Sequence, residues 1–317
     1  METLSERVKS SGAIALVLFL VAIGYWLLDA VFNLPEEVQR VRVGDRIEDF
    51  VRWLRDAIPA FFDAIETILG NPIDWLESFY AWPPVIAFAI IAAALALWLR
   101  SWQFAIVAVL GFLLIDAMAQ WGRAMETLAL VSVATVAALI LGIPFGILAA
   151  RSQVVSLMVR PVLDFMQTLP VFVYLLPALF FWGVGTVPGA VATLIFATPP
   201  GVRLTELGIR QVDQTTIEAA YAFGATPNQV LRGIQLPLAL PTIMAGVNQV
   251  IMLALSMVVI AGIIGAGGLG NEVLRGVQRL NISLGFEAGI SVVILAIFLD
   301  RMTEGIGRKA SRSLGLA

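Results

Sequence analysis

Cysteine and histidine are both absent from this 317-residue chain. Disulfide frameworks, thiolate nucleophiles and the usual zinc sites are thereby excluded, as are triads of the Ser-His or Cys-His type. Charge is scarce too: Asp, Glu, Lys and Arg make up 14% of residues, against ~25% in an ordinary soluble domain. Net charge is −3, with neither a basic tract to suggest nucleic acid nor a long acidic run to suggest a disordered tail. No G-x-x-x-x-G-K-[ST] segment occurs, so the chain has no P-loop of its own. Hydrophobic residues make up 59% of the chain, and beyond residue 84 they gather in runs of membrane-spanning length. Lipid is the solvent to which this composition belongs.

Crossing the hydrocarbon core takes ~20 mostly apolar residues in a helix. That measure predicts an all-α, polytopic membrane protein with about eight spans, at roughly 12–32, 84–100, 103–120, 128–150, 162–184, 187–203, 238–264 and 286–302. The first run follows Arg7 and Lys9 as a signal peptide would. Its length exceeds a signal peptide's apolar core and it lacks a clear small-x-small cleavage site, so a retained anchor is expected. Eight spans put both termini on one side. With a cytoplasmic N-terminus, the inner segments hold Arg7, Lys9, Arg100, Arg151, Arg160, Arg203, Arg210, Arg232, Arg301, Arg308, Lys309 and Arg312, and the short outer loops only Arg123, Arg275 and Arg279. The excess of basic residues inside favours that orientation.

Two regions are therefore expected: 1–83, an anchor with external amphipathic helices, and 84–317, the membrane domain. In the first, Ile47, Phe50, Val51, Leu54 and Ile58 recur at helical spacing among charged residues, and Phe61, Phe62, Ile65, Ile68 and Leu69 continue the stripe beyond Pro59. Such helices either lie in the membrane interface or pack as a hairpin on the rest of the protein. Trp75, Trp82, Pro83 and Pro84 mark the entry to the second span, as interfacial tryptophans do. Gly142 and Gly146 have the small-xxx-small spacing that lets helices approach closely.

Between the sixth and seventh spans, about 204–237, lies a polar stretch whose local signals predict two short helices meeting at a glycine corner. Thr215 and Glu218 read as a capping box, and Gly224 is placed to end that helix in a left-handed conformation. Thr226, Pro227 and Gln229 supply a second cap, a first-turn proline and a box partner, and Leu236-Pro237 is expected to close the second helix. A rigid elbow of this kind fits a groove in a soluble partner and passes motion to the attached spans. The plain alternative is that any long loop needs caps and turns.

The order Glu218-Ala219-Ala220, three residues, Gly224, nine residues, Ile234, one residue, Leu236-Pro237 resembles the EAA loop of bacterial ATP-binding-cassette importer permeases. The likeness covers roughly 125–305. Asp164-Phe165-Met166-Gln167-Thr168-Leu169-Pro170, Pro199-Pro200-Gly201-Val202-Arg203-Leu204-Thr205, Met244-Ala245-Gly246-Val247-Asn248-Gln249 and Ile264-Gly265-Ala266-Gly267-Gly268-Leu269-Gly270 are similar to the glycine betaine and proline branch. The resemblance implies a type I importer permease core in a prokaryotic plasma membrane, taking up a quaternary-amine osmoprotectant such as glycine betaine, proline betaine or choline. It implies a homodimer with a pair of ATPase subunits that carry ATP and magnesium, and no cofactor on this chain. A separate substrate-binding protein is expected, because the chain ends at Ala317 without the fused binding domain of some relatives.

Gly265, Gly267 and Gly270 also match a dinucleotide fingerprint, but a long apolar run rather than a strand precedes them. Together with Gly268 they suit a hinge or tight packing better. Polar residues inside spans are costly, so Gln167, Thr168, Asn248, Gln249 and Ser256 are candidates to line a path, with Tyr174, Met252 and Met257 as soft contacts to a cation. Amides and hydroxyls also tie helices together in lipid. Rivals are an importer of methionine or taurine type and a stand-alone secondary transporter. The latter is disfavoured because Asp29, Asp116, Asp164, Glu287 and Asp300 fall near span ends.

Overall fold

A computed structural model describes residues 18–26 and 43–313. Every regular element among them is helical. Of the anchor expected over 12–32, residues 18–26 are helical and the rest lies outside the described residues. The chain divides into two compact units between Ala57 and Ile58.

In the first unit, α1 (Val43–Ala57) is the amphipathic helix expected from its spacing. Arg52 reaches back one turn to Glu48 at 2.5 Å, while the Phe50 and Trp53 rings lie 5.8 Å apart on the apolar side.

The second unit opens with α2 (Pro59–Ala81), which bends by 103° into α3 (Val85–Leu99). Pro83 and Pro84 lie at the bend, where proline cannot continue the i→i−4 ladder. Leu69 and Ile73 of α2 are buried against Ala129, Val133 and Ala190, and Phe62 stacks on Phe181 at 4.1 Å. The Trp182 indole also donates to the Phe62 carbonyl at 3.0 Å. Residues 59–81 thus form one continuous helix packed on the rest of this unit, not a hairpin. Helix α4 (Trp102–Ala117) follows, its first turn capped by Ser101, and then α5 (Trp121–Arg151).

The span expected as one helix over 162–184 is two: α6 (Gln153–Thr168) and α7 (Val171–Trp182), bent by 95°. Pro170 has no N–H to continue α6, and Leu169 before it is held extended, as the residue preceding proline prefers. Next come α8 (Thr186–Arg210), α9 (Gln214–Ala222) and α10 (Pro227–Val230). A π turn over Leu231–Gln235 leads into α11 (Leu236–Ile263), followed by α12 (Gly268–Gln278) and α13 (Ile282–Ser313). Among the described residues, 121–151, 227–263 and 282–313 are individually long and apolar enough to cross a membrane. The bent pairs α2–α3 and α6–α7 raise the count to as many as five.

The core follows from small side chains. Lipid offers no hydrophobic drive between helices, so association depends on close contact. Val131 and Ala138 of α5, Ala197 of α8, and Val250, Ile251, Ala254 and Leu255 of α11 form one buried cluster. Where α5 crosses α8, Gly142 faces the Gly201 backbone, and a Cβ on Gly146 would lie 2.5 Å from Thr205 Cβ and 2.7 Å from the Val202 carbonyl oxygen. Backbone cannot yield there as a flexible side chain could. Overpacking of this kind costs ~1–3 kcal/mol or more. Gly146→Leu should therefore lose most of its folded, monodisperse protein on mild heating in detergent, whereas the same change at Gly233, which has open space around it, should not.

Candidate functional site

Residues 204–210, the start of the expected loop, are the last two turns of α8. The elbow proper begins at Asp213. Its carboxylate, not the Thr215 hydroxyl, caps α9: the Thr215 N–H donates to Oδ1 at 3.2 Å and the Thr215 hydroxyl to Oδ2. The expected Thr215–Glu218 box is thus displaced by a better acceptor two residues upstream, and Glu218 projects into the open. Hydrogen bonds from Thr215 hold the Asp213 carboxyl below its usual range. A lowered carboxylate keeps its contribution at neutral pH and loses it as pH falls through that lowered value.

Gly224 adopts φ +82°, the left-handed conformation expected of it. Its N–H bonds the Tyr221 carbonyl at 2.9 Å, and the Ala225 N–H bonds that of Ala220 at 3.0 Å, so the orphan carbonyls of α9 are satisfied. Thr226 starts α10 as predicted, with Gln229 Oε1 accepting from the Thr226 N–H at 2.7 Å. Val212, Ile217 and Val230 form a small core under Ala220, Ala225 and Ile234.

Leu236-Pro237 does not close the second helix. Pro237 sits in the first turn of α11, and the chain is helical from Pro227 to Ile263. A proline ring clashes with the carbonyl four residues back. Here that residue is Gly233, within the π turn, whose widened ladder absorbs the misfit. The elbow is consequently joined to α11 without a break. One residue that sequence reasoning passed over is Phe223, 93% exposed at the tip of the elbow. Its signal was legible: buried Ile217 and part-buried Ala220 define the inner face of α9, and position 223 lies at its end in a polar segment where an aromatic has no core to fill.

The candidate path residues divide into two sets. Gln249, Met252 and Ser256 share an exposed face of α11, and Thr168 is exposed with Gln167 part-buried at the end of α6. The Thr168 hydroxyl bonds the Asp164 carbonyl at 2.8 Å and that of Ser256 the Met252 carbonyl at 2.9 Å. Asn248, Tyr174 and Met257 turn inward. The Asn248 amide donates to Asp300 Oδ1 on α13 at 2.7 Å, while Met257 and Tyr174 pack in one cluster with Leu175, Ala192 and Ile264. The Tyr174 hydroxyl and the Asn248 carbonyl oxygen are buried with no hydrogen-bond partner.

The glycine turn is clasped by α5. Gly265, Gly267 and Gly268 take φ of +78°, +76° and +65°. Glu126 Oε2 accepts from the Gly268 N–H at 2.6 Å and Thr127 Oγ1 from the Leu269 N–H at 2.8 Å, so α5 caps α12 from outside its own sequence. Arg123 and Arg275 flank Glu272 of α12 at 3.3 Å and 2.8 Å. Gly270 lies within α12, its backbone 2.3 Å from where a Cβ on Gly262 would fall.

This set of apolar helices, with one polar elbow continuous with its longest helical run, is the architecture of a multi-pass membrane protein. The chain belongs to the family of binding-protein-dependent transport system inner membrane components, whose model matches residues 142–312. It is 47% identical over 278 residues to the glycine betaine transport system permease protein of Bacillus subtilis, covering 87% of this chain and 99% of that protein. Over 254 residues it is 48% identical to the glycine betaine/carnitine transport permease protein of Listeria monocytogenes, covering 79% and 90%. It is 52% identical over 228 residues to the glycine betaine/proline betaine permease protein of Escherichia coli, covering 72% and 64%. Among solved structures, an inward-facing MetNI methionine ABC transporter matches at TM-score 0.50 and 23% identity, over 59% of this chain and 92% of that chain, a likeness of fold.

The α5 clasp yields a direct test. Thr127→Val keeps the side chain's shape and leaves the buried Leu269 N–H unpaired, at a cost of ~1–3 kcal/mol. Hydrogen exchange at the first turn of α12 should then accelerate by roughly tenfold or more, while α11 amides keep their protection.

Proposed function

We propose that this chain is the membrane permease of an ATP-driven importer for a quaternary-amine osmoprotectant of the glycine betaine class. Two subunits form the membrane core in a prokaryotic plasma membrane, with lipid around them and both termini in the cytoplasm. A pair of ATPase subunits, carrying ATP and magnesium, docks on the elbows, and a separate binding protein delivers the solute outside. The solute class rests on the functions of the Bacillus and Listeria relatives, which align along most of their length.

The observation that carries the coupling role is the continuity of the elbow with α11. A capped corner at Gly224 displays Glu218 and Phe223, and the π turn passes its motion into the span without a hinge. An exposed aromatic beside a rigid turn is the kind of anchor that fills a pocket in a partner. When the ATPases close on ATP, the elbows are pushed together and the paired α8 and α11 helices swing from inward-open to outward-open. The exposed face of Gln249, Met252 and Ser256 then lines the path, for which Gln249 and Ser256 are suited because polar groups facing hydrocarbon are costly.

Reconstituted in vesicles with its ATPase and binding protein, the chain should hydrolyse ATP faster in the presence of glycine betaine than of methionine. Gly224→Asp places a side chain at φ +82°, and Phe223→Asp removes the anchor. Each should lower uptake at least tenfold in membranes that contain normal amounts of the subunit. Full uptake by Gly224→Asp at normal expression would overturn the coupling role. Because the chain has no cysteine, a single cysteine at Ala225 reports orientation cleanly. It should react with an impermeant maleimide in inside-out vesicles and be protected in intact cells, and the reverse pattern would sink the assignment.

A further inference from the structure

Helix α6 is poorly anchored by apolar contacts. Only Ser156 and Leu163 are buried, while Val154, Leu157, Met158, Val162 and Phe165 are exposed. What joins it to α8 is polar and regularly spaced. Gln153 Oε1 accepts from Arg210 at 3.1 Å, the Ser156 hydroxyl donates to Glu206 at 2.7 Å, Arg160 reaches Glu206 at 3.3 Å, and Asp164 pairs with Arg203. Along α6 the partners ascend one turn at a time, and along α8 they descend from Arg210 through Glu206, which takes two of them, to Arg203, giving an antiparallel ladder.

Glu206 is its centre. The side chain is 8% exposed and also accepts from Arg210 Nε at 3.0 Å, while Arg210 Nη2 donates to the carbonyl of Ala149 at the end of α5 at 2.8 Å. A buried carboxylate is tolerable only when paired, and this one holds two guanidinium groups and a hydroxyl. The register is also unique. Sliding α6 by one turn, ~3.6 residues, would set Asp164 opposite Glu206 in one direction and Arg160 opposite Arg203 in the other, a like-charge rung either way. The ladder therefore resists slipping.

Its ends give it a direction. The lower end of α8 runs through Arg210 directly to Asp213 and the elbow, whereas the far end of α6 meets the Leu169–Pro170 break and the bent helix α7. We propose that the α6–α8 ladder, centred on Glu206, is a strut that carries elbow movement to α7, and that Glu206 is a positioning residue for transport. This rests on the coupling role proposed above for the elbow.

The test uses the reconstituted complex and reads solute taken up per ATP hydrolysed. Glu206→Ala should keep ATP hydrolysis within twofold of the parent and lower uptake at least tenfold. Asp164→Arg should also lower uptake, and the swap Asp164→Arg with Arg203→Asp should recover it to within twofold. Gln153→Cys with Arg210→Cys, joined by a short bifunctional thiol reagent in the otherwise cysteine-free chain, should transport within twofold of the unreacted pair, because a strut moves as one piece. Normal uptake per ATP by Glu206→Ala would overturn the inference, as would a block imposed by the cross-link. Should Glu206→Ala fail to accumulate, the swap and the cross-link decide the matter on folded protein. If Gly224→Asp uncouples while Glu206→Ala does not, the ladder alone is refuted. If Gly224→Asp stays coupled, the elbow reading fails first.

Discussion

Hydrocarbon offers the peptide group no hydrogen-bond partner, and this constraint governs the chain wherever it leaves the helix. At some of these departures side chains supply the acceptors. Ser101 accepts from the Phe104 N–H and Ser152 from that of Val155, so the starts of α4 and α6 are capped locally. The start of α12 has only glycine at its cap position, and there the acceptors come from Glu126 and Thr127 of α5, 142 residues away in each case. A turn that needs three left-handed glycines is thereby fixed by a distant helix.

The same constraint explains where polarity accumulates. Buried carboxylates are few, and each sits in a cage of opposite charge: Glu206 among Arg160, Arg210 and Ser156, Glu272 between Arg123 and Arg275. These cages tie elements that small-residue packing leaves loose. Where α5, α8 and α11 meet, glycine and alanine do the joining, and no ion pair is needed. Close contact thus builds a firm centre, and polar ties attach the peripheral pieces α6 and α12 to it.

Much of this was legible before the coordinates. Hydropathy located the apolar runs from 84–100 to 286–302 on helices, because length and apolarity are local properties. The run over 162–184 is two helices, however, and at most five crossings are long and apolar enough among the described residues, not the eight expected. Gly224 and Thr226 were read from the chemistry of caps, which is equally local. The misses share a cause. Asp213 outcompeted Thr215 because two good caps stood two residues apart, and propensity could not rank them. Pro237 looked like a stop, yet a π turn is an adjustment that no residue pattern announces. The break at Leu169–Pro170 was hidden by apolar residues on both sides. The ladder partners Ser156 and Glu206 lie 50 residues apart, and only the crossing of α6 with α8 brings them together.

The two outer surfaces of α11 and α13 make a final distinction. Along α13 the exposed positions Ile282, Phe286, Ile290, Val293 and Ile297 repeat at three- and four-residue steps, a continuous apolar stripe of the kind lipid accepts. Along α11 the exposed positions Ala245, Gln249, Met252 and Ser256 repeat at the same steps, with the polar Gln249 and Ser256 on either side of the apolar Met252. A helix of similar length and apolarity would gain nothing by presenting an amide to acyl chains, since a polar group facing hydrocarbon is costly. An amide on that face suits water, solute or a second protein surface better than acyl chains, and the face belongs to the helix into which the elbow runs unbroken. The exposed amide of Gln249 thus lies on the unbroken helical run that begins at Pro227, just past the Gly224 corner.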